Sequence, residues 1–111
     1  MSLENLNVID AITINDKTGN IEILIDDNFD FSNEGKHIEM LQNKLRVYLN
    51  FILAGQLFNY LKSPEDMQRN IAVVIRFSYE PTPNTIEILE FNKISFHQHK
   101  VILTWVVELK S

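Results

Sequence analysis

Four stretches of the chain carry the residue pattern of β-strands. Val8 to Asp16 (VIDAITIND) is rich in β-branched residues, which fit a pleated, half-buried surface. Ile21 to Asp26 alternates, with Ile21, Ile23 and Ile25 on one face and Glu22, Leu24 and Asp26 on the other. The Lys17-Thr18-Gly19-Asn20 turn between these two stretches predicts an antiparallel hairpin. Ile71 to Glu80 alternates again, setting Ile71, Val73, Ile75, Phe77 and Tyr79 against Ala72, Val74, Arg76, Ser78 and Glu80. Val101 to Leu109 sets Val101, Leu103, Trp105, Val107 and Leu109 on one face.

A different period separates the second and third strands. Ile38, Leu41, Leu45, Tyr48, Leu49 and Ile52 recur three and four residues apart, the spacing of an amphipathic helix. Glu39, Asn43, Lys44, Arg46 and Asn50 fall mostly between them and are expected to face water. Asp30, Ser32 and Asn33 are candidate N-caps. Gly55 ends or interrupts the helix, Leu57, Tyr60 and Leu61 extend its pattern, and Ser63-Pro64 stops it. Asn84 to Phe96 fits neither period well, and Ile86-Glu87-Ile88 alone would pass for a strand. Thr82-Pro83, with Thr82 as N-cap and Pro83 at the first helical position, favours a helix.

The order is β-β-α-β-α-β in a single α+β domain over residues 1–111, without an internal repeat or linker. The simplest architecture is a four-stranded, mainly antiparallel sheet with both helices on one face. The long helix is expected to cover Ile23, Ile75, Phe77 and Trp105. The opposite face then presents Ala11, Leu24, Val74, Ile102 and Val106, an apolar set of the kind monomers seldom leave open. These five residues are the candidate interface of a symmetric homodimer, with two sheets packed face to face or two edges joined; the alternative is a monomer in which the second helix or the N-terminal segment folds over this face.

Three segments together resemble a family of small, uncharacterised bacterial proteins, a domain of unknown function. They are Val8-Ile9-Asp10-Ala11-Ile12, the run Leu41-Gln42-Asn43-Lys44-Leu45 with Tyr48-Leu49 and Phe51-Ile52, and Gly55-Gln56-Leu57. The family pattern is V-I-D-A-I, an acidic turn, then L-Q-x-K-L-x-x-Y-L-x-F-I-x-x-G-Q-L. The resemblance covers roughly residues 7–61. It departs at Phe31, where family members usually carry Trp nearby, and further in the last third. It implies a small bacterial α+β protein and transfers no activity or catalytic residue.

With 111 residues, 45% apolar and 23% charged, the chain has the composition of one globular domain. It has no cysteine, which removes disulfides, thiolate nucleophiles and cysteine zinc sites, and fits a reducing, cytoplasmic setting. No segment has the roughly 20 apolar residues of a membrane span. A net charge of −5 argues against nucleic-acid binding, which needs a basic face. Residues 1–34 hold eight acids and one base, so this third could meet a basic protein partner, as immunity or antitoxin proteins do.

Candidate chemistry is sparse. Asp26-Asp27-Asn28-Phe29-Asp30 spells D-D-x-x-D, but it leaves a strand rather than lying on a helix of a large bundle. As an EF-hand loop it fails at Phe31, where glycine is needed, and at His37, where glutamate is needed. Capping and turn formation is the expected role of these acids. His97 and His99 could share a metal if their segment were extended, with a third ligand such as His37. Asp10 sits among apolar strand residues, where a carboxylate needs an exposed face or a partner such as Arg76. No phosphate-binding loop, nucleophile elbow or zinc-protease motif is present, and no cofactor is called for. The leading expectation is a non-catalytic binding or interaction module. The alternative is a small enzyme with an acidic, divalent-metal site at Asp10, Asp26, Asp27 and Asp30.

Overall fold

The computed structural model describes residues 11–55, 57 and 69–108. Its elements are β1 (Ala11–Ile14), β2 (Ile21–Asp27), α1 (Glu34–Leu53), β3 (Ile71–Phe77), α2 (Pro83–Gln98) and β4 (Val101–Val107). The expected order is found. Asp10, the start of the first strand at Val8, Leu109 and the helical extension past Gly55 (Leu57 apart) lie outside the described residues.

The β1–β2 hairpin turns where expected. Asn15 Oδ1 accepts from the amides of Lys17 and Thr18, and Gly19 takes a φ of 77°, open to a residue without Cβ. Gly55 does the same after α1, with a φ of 77°. Thr82 caps α2, its hydroxyl accepting from the Thr85 amide at 3.2 Å, with Pro83 following.

The strands lie in the order β1-β2-β3-β4. β1 and β2 are antiparallel, but β2–β3 and β3–β4 are both parallel, so the sheet is mixed rather than mainly antiparallel. The reason is connectivity. A helix lies between β2 and β3 and again between β3 and β4, and such crossovers return the chain in its original direction.

Both helices contribute to a single core. Ile21, Ile23 and Ile25 of β2, Val73, Ile75 and Phe77 of β3, and Val101 and Leu103 of β4 meet Leu41, Leu45 and Tyr48 of α1 and Leu89 and Phe96 of α2. Trp105 packs against this cluster half-buried, as do Leu49 and Ile52, whose place in the periodic stripe predicts burial. Tyr48 also donates its hydroxyl to the Leu24 carbonyl at 2.8 Å. Lys44, expected to face water, is fully buried, with its ammonium 5.4 Å from the Tyr48 ring centroid. It lies three residues after Leu41 and four before Tyr48, inside the apolar stripe. Among the described residues, no helix is long and apolar enough to cross a membrane.

Candidate functional site

The acidic run leaves the sheet at the carboxyl end of β2, and strand alternation separates its members. Asp26 shares the open face with Leu24 and meets Arg76, its register partner on β3, at 2.6 Å. Asp27 shares the core face with Ile21, Ile23 and Ile25 and is fully buried. Asp30 lies in the loop and accepts from the Ser32 amide and hydroxyl, contacts that hold its carboxyl below the usual carboxylate range. The three carboxylates therefore do not converge. Among the described residues, no cluster of three or more His, Cys, Asp or Glu side chains could hold a metal ion.

What the fold does bring together is Asp27 and His37. His37 stands four residues before Leu41 on the inward stripe of α1, and only 2% of it is exposed. Its Nε2 lies 2.5 Å from Asp27 Oδ2, and its Nδ1 lies 2.9 Å from the Asp30 carbonyl. Both ring nitrogens lie within hydrogen-bond distance of acceptors, an arrangement that favours the protonated ring, which alone can donate from both. Burial pulls the His37 pKa down. The bond and charge of Asp27, with the Asp30 carbonyl and carboxylate, outweigh burial and leave the pKa above 6.5. Asp27 Oδ1 accepts from the Phe29 amide, and Phe31 stacks on the imidazole at 4.1 Å between centroids. A small recess of about 150 Å³ opens beside this cluster, lined by His37 itself with Phe29, Asp30, Lys36 and Met40. With their side chains 2% and 0% exposed and their polar atoms hydrogen-bonded to one another and to the 28–33 loop, His37 and Asp27 anchor that loop to α1.

His97 sits in the last turn of α2 and His99 caps it, both exposed. The segment is helical, not extended, so residues two apart do not point the same way. Neither converges with His37, which is buried against Asp27.

On the sheet face away from α1 and α2 the expected exposed apolar set is only partly found: Ala72, Leu24 and Val74 are buried, at 3%, 9% and 9% exposure, and Ala11 is half-buried, whereas Ile102 and Val106 on β4 are 42% and 43% exposed. Further apolar exposure lies on α2, at Phe91 and Ile94.

Residues 1–109 match the model of a family of unknown function, DUF6572. The chain belongs to DUF6572. The DUF6572 match includes residues 7–61, which carry the sequence resemblance, and continues through β3, α2 and β4. No curated protein and no solved structure matches the chain.

Two features of the site were not anticipated from sequence: the Asp27–His37 pair and the burial of Lys44. Asp27 continues the Ile21-Ile23-Ile25 alternation by one step, and His37 continues the Leu41-Leu45 stripe back by one turn. Both positions therefore carried a signal.

Proposed function

We propose that this chain is a non-catalytic protein-interaction module whose contact surface is the exposed outer face of β4. The observation that carries the reading is how the chemistry is distributed. Each acid of the 26–30 run already has a side-chain partner within the chain, Asp26 with Arg76, Asp27 with His37 and Asp30 with Ser32. The side chains turned outward on β4 are Ile102, Thr104 and Val106, and the strand holds no charged residue. Of the five candidate interface residues, Leu24 and Val74 form the floor of this face, Ala11 its half-buried flank, and Ile102 and Val106 its accessible part. Apolar contact is thus better supported than docking to a basic partner, because Asp26 and Asp27 already face cations of their own chain.

The test is a double Ile102→Ser/Val106→Ser variant. Half-exposed side chains contribute little to monomer stability, so its unfolding free energy should stay within about 1 kcal/mol of the parent, while association is lost. A loss above about 2 kcal/mol would assign both side chains to the core and refute the reading. So would a stoichiometric magnesium, manganese or zinc site, detected calorimetrically and abolished by Asp26→Asn or Asp30→Asn.

A further inference from the structure

We propose that the outer edge of β4 is the seam of a symmetric homodimer, in which β4 pairs antiparallel with β4 of a second copy about a two-fold axis at Thr104. The proposal rests on the contact-module reading and adds to it the partner and the pairing.

The first observation is the edge itself. β4 lies at one end of the sheet, and its seven residues, VILTWVV, include no charge, proline or glycine. Among the described residues nothing pairs with its outer side. Exposed edges are ordinarily blunted by charge, proline, a bulge or a cover, because their free amides and carbonyls recruit another strand. The opposite edge, β1, has only four described residues.

The second observation is phase. The Glu108 amide donates to the Phe77 carbonyl. Even-numbered residues of β4 therefore turn their backbone groups toward β3. By alternation, Val101, Leu103, Trp105 and Val107 turn theirs outward. An antiparallel partner centred on Thr104 sets Leu103 against Trp105 and Val101 against Val107. These are the residues with outward groups, so both pairs are hydrogen-bonded.

The third observation is that the segment is a near-palindrome about Thr104: valine at both ends, Ile102 matched by Val106, and Leu103 matched by Trp105. Any strand can pair with its own copy about a two-fold axis, but this one then sets apolar side chains against each other at every position but the central threonine, which favours a second copy as the occupant. In this register Ile102 faces Val106 of the partner subunit in a closely spaced, non-hydrogen-bonded pair. The two apolar side chains most exposed on the strand thus cover each other, and Thr104 meets its own symmetry mate.

The flank of α2 agrees. A recess of about 340 Å³ runs along this edge between Leu103 and the helix residues Glu90, Lys93, Ile94 and His97. Lys93 places its ammonium 5.9 Å from the Trp105 ring centroid, so this flank stands beside the centre of the strand. The two-fold axis runs the second α2 antiparallel to the first, which brings Glu90 of one copy toward Lys93 of the other.

Sedimentation velocity of the full chain at tens of micromolar should give a dimer of 13.0 kDa subunits. Because the chain has no cysteine, Thr104→Cys introduces a single thiol, and mild oxidation should link two copies across the axis. Glu87→Cys, on the exposed outer side of α2, should not cross-link. Ile102→Lys and Val106→Glu should each weaken the dimer about tenfold or more, and the double variant should recover it, because the new charges face each other across the seam. A chain that stays monomeric at tens of micromolar overturns the proposal. A dimer that neither cross-links through position 104 nor recovers in the double variant also overturns it, and leaves the contact-module reading standing. A metal site at the carboxylates would instead defeat that reading without touching the seam.

Discussion

Asp26 and Asp27 are neighbours of the same residue type, each paired with a cation at nearly the same distance, 2.6 Å and 2.5 Å. They differ in burial. The side chains of Asp26 and Arg76 are each 38% exposed, whereas those of His37 and Asp27 are 2% and 0% exposed. Asp26→Asn should therefore cost about 1 kcal/mol or less, since water screens the exposed pair and resolvates Arg76. Asp27→Asn leaves the imidazolium buried without its counter-charge, which costs about 3–5 kcal/mol for pairs of this kind. The new amide oxygen can still accept from the Phe29 amide, so that contact is not part of the loss. At the lower figure Tm should fall by roughly 12–24 °C, taking 4–8 °C per kcal/mol for a domain of this size. Urea unfolding at pH 6, followed by circular dichroism, gives both free energies under one condition. Equal losses for the two variants would refute the argument that burial, not contact, sets the cost.

The same pair has a pH signature. The His37 pKa is raised on folding, so the native state holds the proton more tightly than the unfolded chain. Its contribution is complete below about 6.5 and is lost as pH climbs through the folded value, so stability should decline on the alkaline side. Urea midpoints across that range should show the decline in the parent and not in His37→Gln. Leu45→Ala, at a site with 0% exposure, should cost about 2–5 kcal/mol in the same assay, and a loss under about 0.5 kcal/mol would put the wrong face of α1 inward. Thr82→Ala removes the acceptor for the Thr85 amide and should cost about 1 kcal/mol, with Thr82→Ser largely restoring it. Zinc or magnesium should not raise Tm; a rise that vanishes in His97→Ala/His99→Ala would reveal a site there.

The fold was largely readable because most elements announce themselves through local chemistry. Alternation gave β2, β3 and β4, and the three- and four-residue spacing gave α1. The α2 helix was harder, since Phe91 and Ile94 point outward and spoil its period. Only the Thr82-Pro83 cap signal identified it. Strand direction was misjudged because periodicity says nothing about it. The information lay in the connections, where each intervening helix implies a parallel return. The Asp27–His37 pair was missed for a related reason. A charged residue in phase with an apolar face reads as an exception until its partner is known, and that partner lies ten residues away on another element. Lys44 was assigned to water by its charge, although its position put it in the stripe.

The register of the parallel strands also bears on how the chain folds. Every β2–β3 partner pair lies 50 residues apart and every β3–β4 pair 30, while the β1–β2 hairpin closes across a short turn. Closing the longer loop costs only about 0.5 kcal/mol more in chain entropy than closing the shorter one. β3–α2–β4 should thus be the faster of the two crossovers to form, by a factor of about two on that entropy alone. The hairpin is free to form early and dock last. In that sequence β4 is in place before β2 covers the other side of β3, so for a time the β3 edge is open. Recruitment of a second chain at that edge then competes with completion of the fold, and protein concentration during refolding becomes the variable that decides between the two.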